Sequence, residues 1–346
     1  MQAGSTVRTD NGRGVATRTV LVGDIGGTNA RLSVASIGAD QEVSTVYEKW
    51  YATKDYPTFL DVLDAAASEQ SVQAASPSVA CFAVAGPVQN GRGQMTNLNW
   101  TIDGQEIERK YGWRVAVMND FEAQGYGVLE LQDSDLHVVN EGCTVQGAPK
   151  IVIGPGTGLG QAQLMWDDGL HDYRVWPSEG SHADFAPRGS IQVHLRNWVV
   201  DGLGFCEVEH VACGSGIERI YAFLTNPDSF TAGGKFPKKA RDISREALDG
   251  SDPDAVAAVD LMLSIVGAEA GHMALRSLAR GGVYIAGGIT PKLLDRVKTG
   301  VMQEAFLHKG SRFHNLLKDI TVSVVMQQDV GLLGARRFAI RLLNSQ

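Results

Sequence analysis

The alternation of apolar and polar residues in the first third of the chain predicts strands that end in glycine or polar side chains. Residues 19–25 are an apolar run that leads into a glycine turn, and residues 30–37 resume apolar alternation. Apolar runs of this length, separated by a short glycine turn, are typical of an antiparallel hairpin. The further predicted elements are a helix over 57–70 and strands over 78–85 and 115–118.

The second half of the chain repeats this pattern. A predicted strand over 150–153 breaks into a glycine-rich turn, and another strand over 161–166 follows. Strand, glycine turn and strand therefore occur twice, near residues 24 and 157, which predicts two similar α/β lobes. The further predicted elements are a helix over 253–280 capped by Asp252, strands over 283–286 and 322–326, an exposed loop over 225–242 and a C-terminal helix.

The composition indicates a globular protein and argues against a nucleic-acid or membrane partner. The chain has 346 residues, 44% of them hydrophobic and 20% charged, enough for two lobes with a sizeable core. Lys and Arg number 31 against 39 Asp and Glu, a net charge of −8, so the basic footprint of a nucleic-acid binder is missing. No run approaches the roughly 18 apolar residues of a membrane span. Because the mean field repels anions, a phosphorylated substrate must be held by local features.

The strongest local signal is the sequence GDIGGTNAR around the first predicted turn. Gly26 and Gly27 allow a tight turn that brings backbone N–H groups against phosphate oxygens, and Thr28 and Asn29 add side-chain donors. Asp24 stands at the predicted strand end, where a carboxylate can hold Mg²⁺ directly or through water. The simpler interpretation is an ordinary hairpin, and the polar residues on both sides of the glycines favour phosphate binding over it.

Two further glycine motifs extend the nucleotide hypothesis. Residues 154–160 contain four glycines and a threonine. No lysine follows them and a strand comes next, so they match neither the P-loop nor the dinucleotide fingerprint. Their candidate phosphate contacts are Gly156, Thr157 and Gly158. Gly287 and Gly288 follow a later strand, where small residues leave room for adenosine or for close packing against the long helix.

A group of polar residues has a different character. Asn119 and Asp120 follow an apolar strand, which is a rigid position for a general base. Glu179 and His182 lie three residues apart, and Glu209 follows further on. Fixed carboxylates with an amide and an imidazole suit a polyhydroxylated ligand, and no Cys/His cluster indicates zinc.

These motifs resemble the glucokinases of the bacterial-type hexokinase family, within the actin-like ATPase-domain kinases. The matching segments are GDIGGTNARL, ACFAVAGPV, MTNLNW, VMNDFEA, GPGTGLG, SEGSHADFAP and YIAGGI. The resemblance implies an α/β fold of two actin-like, ribonuclease H-like lobes flanking an active-site cleft. The implied division is a disordered tail over 1–18, a small domain over 19–129 plus 327–346 and a large domain over 130–326.

The resemblance also implies a reaction, ATP-dependent phosphorylation of D-glucose at its 6-hydroxyl, the first step of glycolysis. Asp120 would be the general base, with Mg²⁺ held by Asp24. The implied glucose ligands are Asn97, Asn119, Asp120, Glu179, His182 and Glu209. A cytoplasmic homodimer is expected. Three alternatives stay open: a hexokinase of broader specificity, a non-catalytic sugar-binding regulator, and an actin-like ATPase without a small-molecule acceptor.

Overall fold

The computed structural model describes residues 18–95, 98–228, 230, 236 and 238–345. Two sequence predictions fall largely outside this part of the chain. Asn97, a predicted glucose ligand, lies outside the described residues, and so does all but the last residue of the predicted N-terminal tail.

The first large sheet contains the predicted hairpin. Its strands are β1 (Arg18–Ile25), β2 (Asn29–Ile37), β3 (Val43–Ala52), β4 (Val79–Val84) and, after a small separate sheet, β8 (Arg114–Asn119). The strand order is β3-β2-β1-β4-β8, antiparallel on the β2 side of β1 and parallel on the β4 side. The small sheet consists of β5 (Val88–Gln89), β6 (Arg92–Gln94) and β7 (Thr101–Asp103).

The second large sheet repeats the topology of the first. Its strands are β9 (Leu136–Asn140), β10 (Lys150–Pro155), β11 (Leu159–Asp167), β12 (Asp172–Ser178), β13 (Val283–Ile285) and β14 (Val322–Val325). The order β12-β11-β10-β13-β14 has the same sequence of antiparallel and parallel neighbours, and β9 adds an antiparallel edge. The prediction of two related α/β lobes is confirmed.

The helices cover the faces of both sheets. On the first lobe these are α1 (Phe59–Ala67), α2 (Gln70–Ala75), α3 (Gly104–Tyr111) and α4 (Asp120–Gly127). Those that follow are α5 (Gly189–Leu203), α6 (Gly214–Thr225), α7 (Ala240–Asp249), α8 (Pro253–Ser277), α9 (Leu294–Val297), α10 (Val301–Leu307), α11 (Ser311–Lys318) and α12 (Val330–Asn344).

The helix boundaries follow local capping chemistry. The predicted helix over 57–70 begins only at Phe59, because Thr58 and Asp61 form a reciprocal capping box. The predicted cap of α8 is confirmed, since the carboxylate of Asp252 accepts the backbone N–H of Asp254 at 2.9 Å. Its predicted end at 280 is wrong: the helix stops at Leu278, which adopts a left-handed conformation.

The helix α8 of the large lobe is long and apolar. Among the described residues it is the one helix long and apolar enough to cross a membrane by length and composition, which the sequence analysis did not note. About 67% of its most apolar window is buried inside the protein, as in a core helix. Its inner face packs among the large hydrophobic core around Val259, Leu263 and Val266.

The predicted exposed loop over 225–242 is partly wrong. Phe236 is buried, and the ring of Phe230 packs edge-on against Trp198 at 4.6 Å between centroids. The helix α7 already begins at Ala240. Aromatic side chains therefore attach the described parts of this segment to the core.

The C-terminal helix α12 returns to the first lobe and packs on α4, β1 and β4. A Cβ atom at Gly334 would lie 1.7 Å from the carbonyl oxygen of Ala123 in α4, so the two helix backbones approach more closely than any other residue allows. Val330 at the beginning of α12 lies against Gly127 at the end of α4, and Gly331 lies beside Asp24 near the end of β1. The division of the domains at 129/130 and 326/327 stays a prediction.

Candidate active site

Asp24 is the second-last residue of β1, opposite Arg31 in the hairpin register. Its carboxylate is open to the cleft between the lobes, yet protein atoms surround it closely. This burial raises the pKa of Asp24, the guanidinium of Arg31 opposes the rise, and the neighbouring charge of Asp329 adds to it. The site therefore holds an acidic group in a partly desolvated position.

Arg31, which the sequence analysis did not single out, ties the first hairpin to the beginning of α12. Its guanidinium donates to the carboxylate of Asp329, directly before α12, and to Glu48 of β3 at 2.9 Å. It also lies 5.0 Å from the ring centroid of Trp50. This arrangement fixes the hairpin that carries Asp24.

The first glycine turn is held by its own backbone and by Thr53. The N–H of Gly26 donates to the carbonyl of Asn29 at 2.9 Å. The hydroxyl of Thr53 donates to the carbonyl of Gly27, and its N–H donates to the carbonyl of Thr28 at 3.0 Å. The turn is thus built before any ligand binds, with residues 27–29 exposed to solvent.

Asp120 is the first residue of α4 and follows β8 directly. Burial raises the pKa of Asp120 to about 6, the charges of Asp24 and Glu179 add to the rise, and the N–H of Phe121 opposes it. Asn119 caps α4, since its Oδ1 accepts the N–H of Phe121 at 2.8 Å and its Nδ2 donates to the carbonyl of Gly86 at 3.1 Å. One hydrogen on Nδ2 of Asn119 remains for a ligand.

The second glycine motif packs against the residue that follows Asp120. A Cβ atom at Gly160 would lie 1.9 Å from the ring of Phe121, so only glycine fits beneath that ring. The turn itself is closed by the N–H of Gly156, which donates to the carbonyl of Gly158 at 2.8 Å. Phe121 therefore links α4 of one lobe to the glycine loop of the other.

Two neighbouring cavities lie along this edge. The cleft, about 400 Å³, is lined by both Asp24 and Asp120. The second cavity, about 660 Å³ and largely apolar, is lined by Ile217, Leu248, Ile289 and Leu293 with Arg241 and Arg245. Gly288 and Lys292 line both cavities. Lys292 lies on the short 3-10 helix Thr290–Leu293 that follows Gly287 and Gly288. A search of the sequence for cations after each glycine motif would have found it.

The predicted sugar segment lies on a short helical turn after β12. The side chains of Glu179 and His182 are 76% and 47% exposed, and Nε2 of His182 lies 3.7 Å from the carboxylate of Glu179. Glu209 contacts the second glycine loop, where its carboxylate accepts the N–H of Leu159 at 2.7 Å. Glu207, which the sequence analysis missed, accepts a hydrogen bond from Nδ1 of His182 at 2.9 Å.

The structure brings part of the predicted site together. The predicted residues that line the cleft are Asp24, Gly26, Asp120, Gly287 and Gly288. The predicted residues that line neither cavity are Gly27, Thr28, Asn29, Asn119, Gly156, Thr157, Gly158, Glu179, His182 and Glu209. The cleft also contains Gln124, whose Oε1 is buried with no hydrogen-bond partner among the described residues. The duplicated sheets, with a cleft lined by carboxylates at strand ends, are the architecture of the actin-like ATPase fold.

The comparisons with known proteins identify the family. A family model described as Glucokinase matches residues 21–342. The chain is 36% identical over 343 residues to the glucokinase of Nostoc sp., covering 93% of this chain and 99% of that protein. The chain therefore belongs to the glucokinase family and is a sugar-phosphorylating enzyme.

Solved structures agree with this assignment. The glucokinase of an Antarctic psychrotroph superposes with a TM-score of 0.82 at 28% identity, covering 93% of this chain and 99% of that one. The glucokinase of Balamuthia mandrillaris in complex with glucose superposes with a TM-score of 0.76 at 20% identity, covering 95% of each chain. The second likeness shows the fold alone, and the predicted two-lobed actin-like fold is confirmed.

Proposed function

We propose that this enzyme transfers the γ-phosphoryl group of ATP to the 6-hydroxyl of D-glucose, the first step of glycolysis, with Asp120 as general base. The observation that carries the proposal is the position of Asp120 at the start of α4, directly after β8 and in the cleft, with its pKa raised to about 6. A carboxylate with that pKa is ionised at neutral pH and is basic enough to accept a hydroxyl proton during attack.

The two cavities support binding of ATP. The apolar cavity beside Gly288 suits adenosine, and the cleft beside Gly26 suits the phosphates. Lys292 lines both cavities and would place its ammonium along the phosphate chain. Its positive charge would offset the repulsion between the phosphates and the nearby carboxylates. The amides of both glycine turns would spread the charge that develops on the transferred group.

The cleft also fits Mg²⁺. Magnesium uses one or two carboxylates together with phosphate oxygens and retains several waters. Asp24 offers a carboxylate, and the Oε1 of Gln124, which has no partner in the described part of the chain, offers an acceptor for a metal-bound water. When bound, Mg²⁺ would neutralise phosphate charge. The contribution of the protein is to orient the nucleotide, exclude water and hold the proton on Asp120.

The sugar would lie between Asp120 and the segment of Glu179 and His182. The charge of Glu179 acts on the carboxylate of Asp120, which supports placing both carboxylates near one ligand. Asn119 has one amide hydrogen to donate, and Glu209 joins this group to the second glycine loop. The Balamuthia mandrillaris glucokinase, of the same fold, was solved with glucose. Asn97 stays a predicted ligand.

The direct test is ADP production with Mg·ATP and glucose, mannose, fructose, N-acetylglucosamine or no sugar. Turnover with glucose and little with the other sugars is the expected result. Similar rates with several hexoses would replace the proposal with a broader hexokinase. Turnover without sugar would favour an actin-like ATPase, and sugar binding without turnover would favour a regulator.

We also propose a cytoplasmic homodimer, which rests on the family resemblance. Light scattering during size-exclusion chromatography measures the mass directly. A mass near twice 37.1 kDa is expected, and a mass near 37.1 kDa would contradict the dimer.

A further inference from the structure

The sugar segment is attached to a second chain segment by backbone pairing. Asp184 and Glu207 form an isolated antiparallel bridge. On either side of it, the N–H of Phe185 donates to the carbonyl of Cys206 at 2.9 Å, and the N–H of Val208 donates to the carbonyl of Ala183 at 3.1 Å. The backbone thus places the side chain of Glu207 beside the turn that carries His182.

Glu207 determines which nitrogen of the His182 imidazole carries the hydrogen. Its Oε2 lies 2.9 Å from Nδ1 of His182, and its side chain is only 21% exposed. A carboxylate can only accept, so Nδ1 of His182 must carry the hydrogen. The other nitrogen, Nε2, then faces the carboxylate of Glu179 at 3.7 Å and the predicted sugar.

The neighbouring His210 shows that this pairing is selective. Nδ1 of His210 accepts the backbone N–H of Glu207 at 3.2 Å, so that nitrogen carries no hydrogen. Its Nε2 lies 3.9 Å from the carboxylate of Glu207, beyond hydrogen-bond distance. The carboxylate of Glu207 is therefore directed to His182 rather than shared between two imidazoles.

We propose that Glu207 is a positioning residue for glucose binding: it holds the Nδ1–H of His182 and so presents Nε2 to the sugar hydroxyls. This inference rests on the proposed glucose site. A histidine whose second nitrogen is held by a carboxylate keeps one ring orientation and one tautomer. Glu207 thus contributes to affinity for the sugar without touching it.

The charges around His182 shift the pH at which its imidazole is protonated. The groups that face the imidazole are the carboxylates of Glu207, Glu179 and Glu209, together with the imidazole of His210. The hydrogen bond to Glu207 is the largest cause that raises the pKa of His182, and the other carboxylates add to it. Removing the charge of Glu207 lowers this pKa, so the imidazolium is lost at a lower pH than in the wild-type enzyme.

The experiment compares Glu207→Leu, Glu207→Gln and the control Asp184→Asn. Leucine removes the acceptor, whereas glutamine retains a carbonyl oxygen that can still accept the Nδ1–H. Asp184→Asn removes a charge from the same bridge without touching His182. We expect the glucose KM to rise about tenfold in the leucine variant and about threefold in the glutamine variant, with kcat unchanged, because a hydrogen bond to a charged group is stronger than a neutral one. Asp184→Asn should retain the wild-type KM.

Nitrogen-15 NMR of the imidazoles, assigned by a His182→Ala spectrum, reads the tautomer and pKa of His182 without sugar or ATP. The Nδ1–H tautomer should persist in Glu207→Gln and become a mixture in Glu207→Leu. An unchanged tautomer in the leucine variant, or an equal rise in KM in Asp184→Asn, would overturn the inference. If the wild-type enzyme does not phosphorylate glucose while the tautomer shifts as expected, the proposed substrate fails and the positioning of His182 stands.

Discussion

The two sides of the candidate site are held by different means. On the phosphate side, Asp24 and Asp120 lie at strand ends, and the parallel pairing of β1, β4 and β8 brings those ends to one edge of the sheet. On the sugar side, Glu179 and His182 lie on a short turn with side chains 76% and 47% exposed. The first group is preorganised by backbone packing and the second by side-chain hydrogen bonds, so changes to the first should affect stability and kcat, and changes to the second KM.

The largest effect is expected for Asp120→Asn, which removes the proposed base without changing the shape of the residue. We expect kcat to fall about 10³-fold with glucose affinity retained, because general base catalysis contributes on that order. Steady-state kinetics and calorimetric titration with glucose measure both quantities. Glu122→Gln is the matched control, since Glu122 shares the first turn of α4 but does not line the cleft. Retained turnover in Asp120→Asn would remove the proposed role.

The next effect is expected for Gly160→Ala, which tests backbone packing on the phosphate side. The new Cβ would collide with the ring of Phe121, and we expect the free energy of unfolding to fall by about 3 kcal/mol. Urea denaturation measures it. Gly160→Ala should lower the free energy of unfolding less in a Phe121→Ala background than in the wild-type protein, because the ring that the new Cβ would meet is gone. If the two substitutions lower the free energy of unfolding additively, the contact with Phe121 is not what requires glycine at position 160.

A smaller effect is expected for His182→Ala on the sugar side. The glucose KM should rise about tenfold while the free energy of unfolding stays within about 0.5 kcal/mol, because the side chain is half exposed. The ratios of kcat/KM for glucose, mannose and 2-deoxyglucose should also change. His194→Ala, at an exposed position on α5, is the control. Unchanged ratios would exclude His182 and leave Glu179→Gln as the next variant.

The smallest effect is the pH dependence of the wild-type enzyme. Burial raises the pKa of Asp120 to about 6, and only the ionised carboxylate can accept a proton. The acid limb of kcat/KM should therefore reach half its maximum at a pH of about 6 and fall tenfold for each further unit of acidification, below the pH at which His182 titrates. Rates at saturating ATP over a series of buffers measure this. A flat profile from about pH 5 to 8 would contradict the assignment.

Elements with a clear run or regular spacing of apolar residues were predicted well. The buried strands β1, β2, β4 and β10 give long apolar runs, and α8 has both its cap and its apolar positions in the sequence. By contrast, no prediction covered β3, because most of its side chains are exposed and show no alternation. The end of α8 was misplaced because Leu278, rather than a glycine, adopts the left-handed conformation.

The residues of the candidate site likewise divide into those that the sequence predicted and those that it did not. Asp24 and Asp120 were found because strand ends and glycine turns are local signals. Arg31 and Glu207 were not found, because their partners Asp329 and His182 are 298 and 25 residues away in the chain. Lys292 was missed because its importance comes from lining two cavities at once.

The sequence by itself therefore determined the family, the duplicated lobes and the glycine turns, since each depends on residues close together in the chain. Only the tertiary structure decided which side chains share the cleft, that Phe121 requires glycine at 160, and that Glu207 directs the imidazole of His182. The physical reason is that hydrogen bonds and close packing between distant segments depend on how the lobes fold together, which local periodicity does not encode.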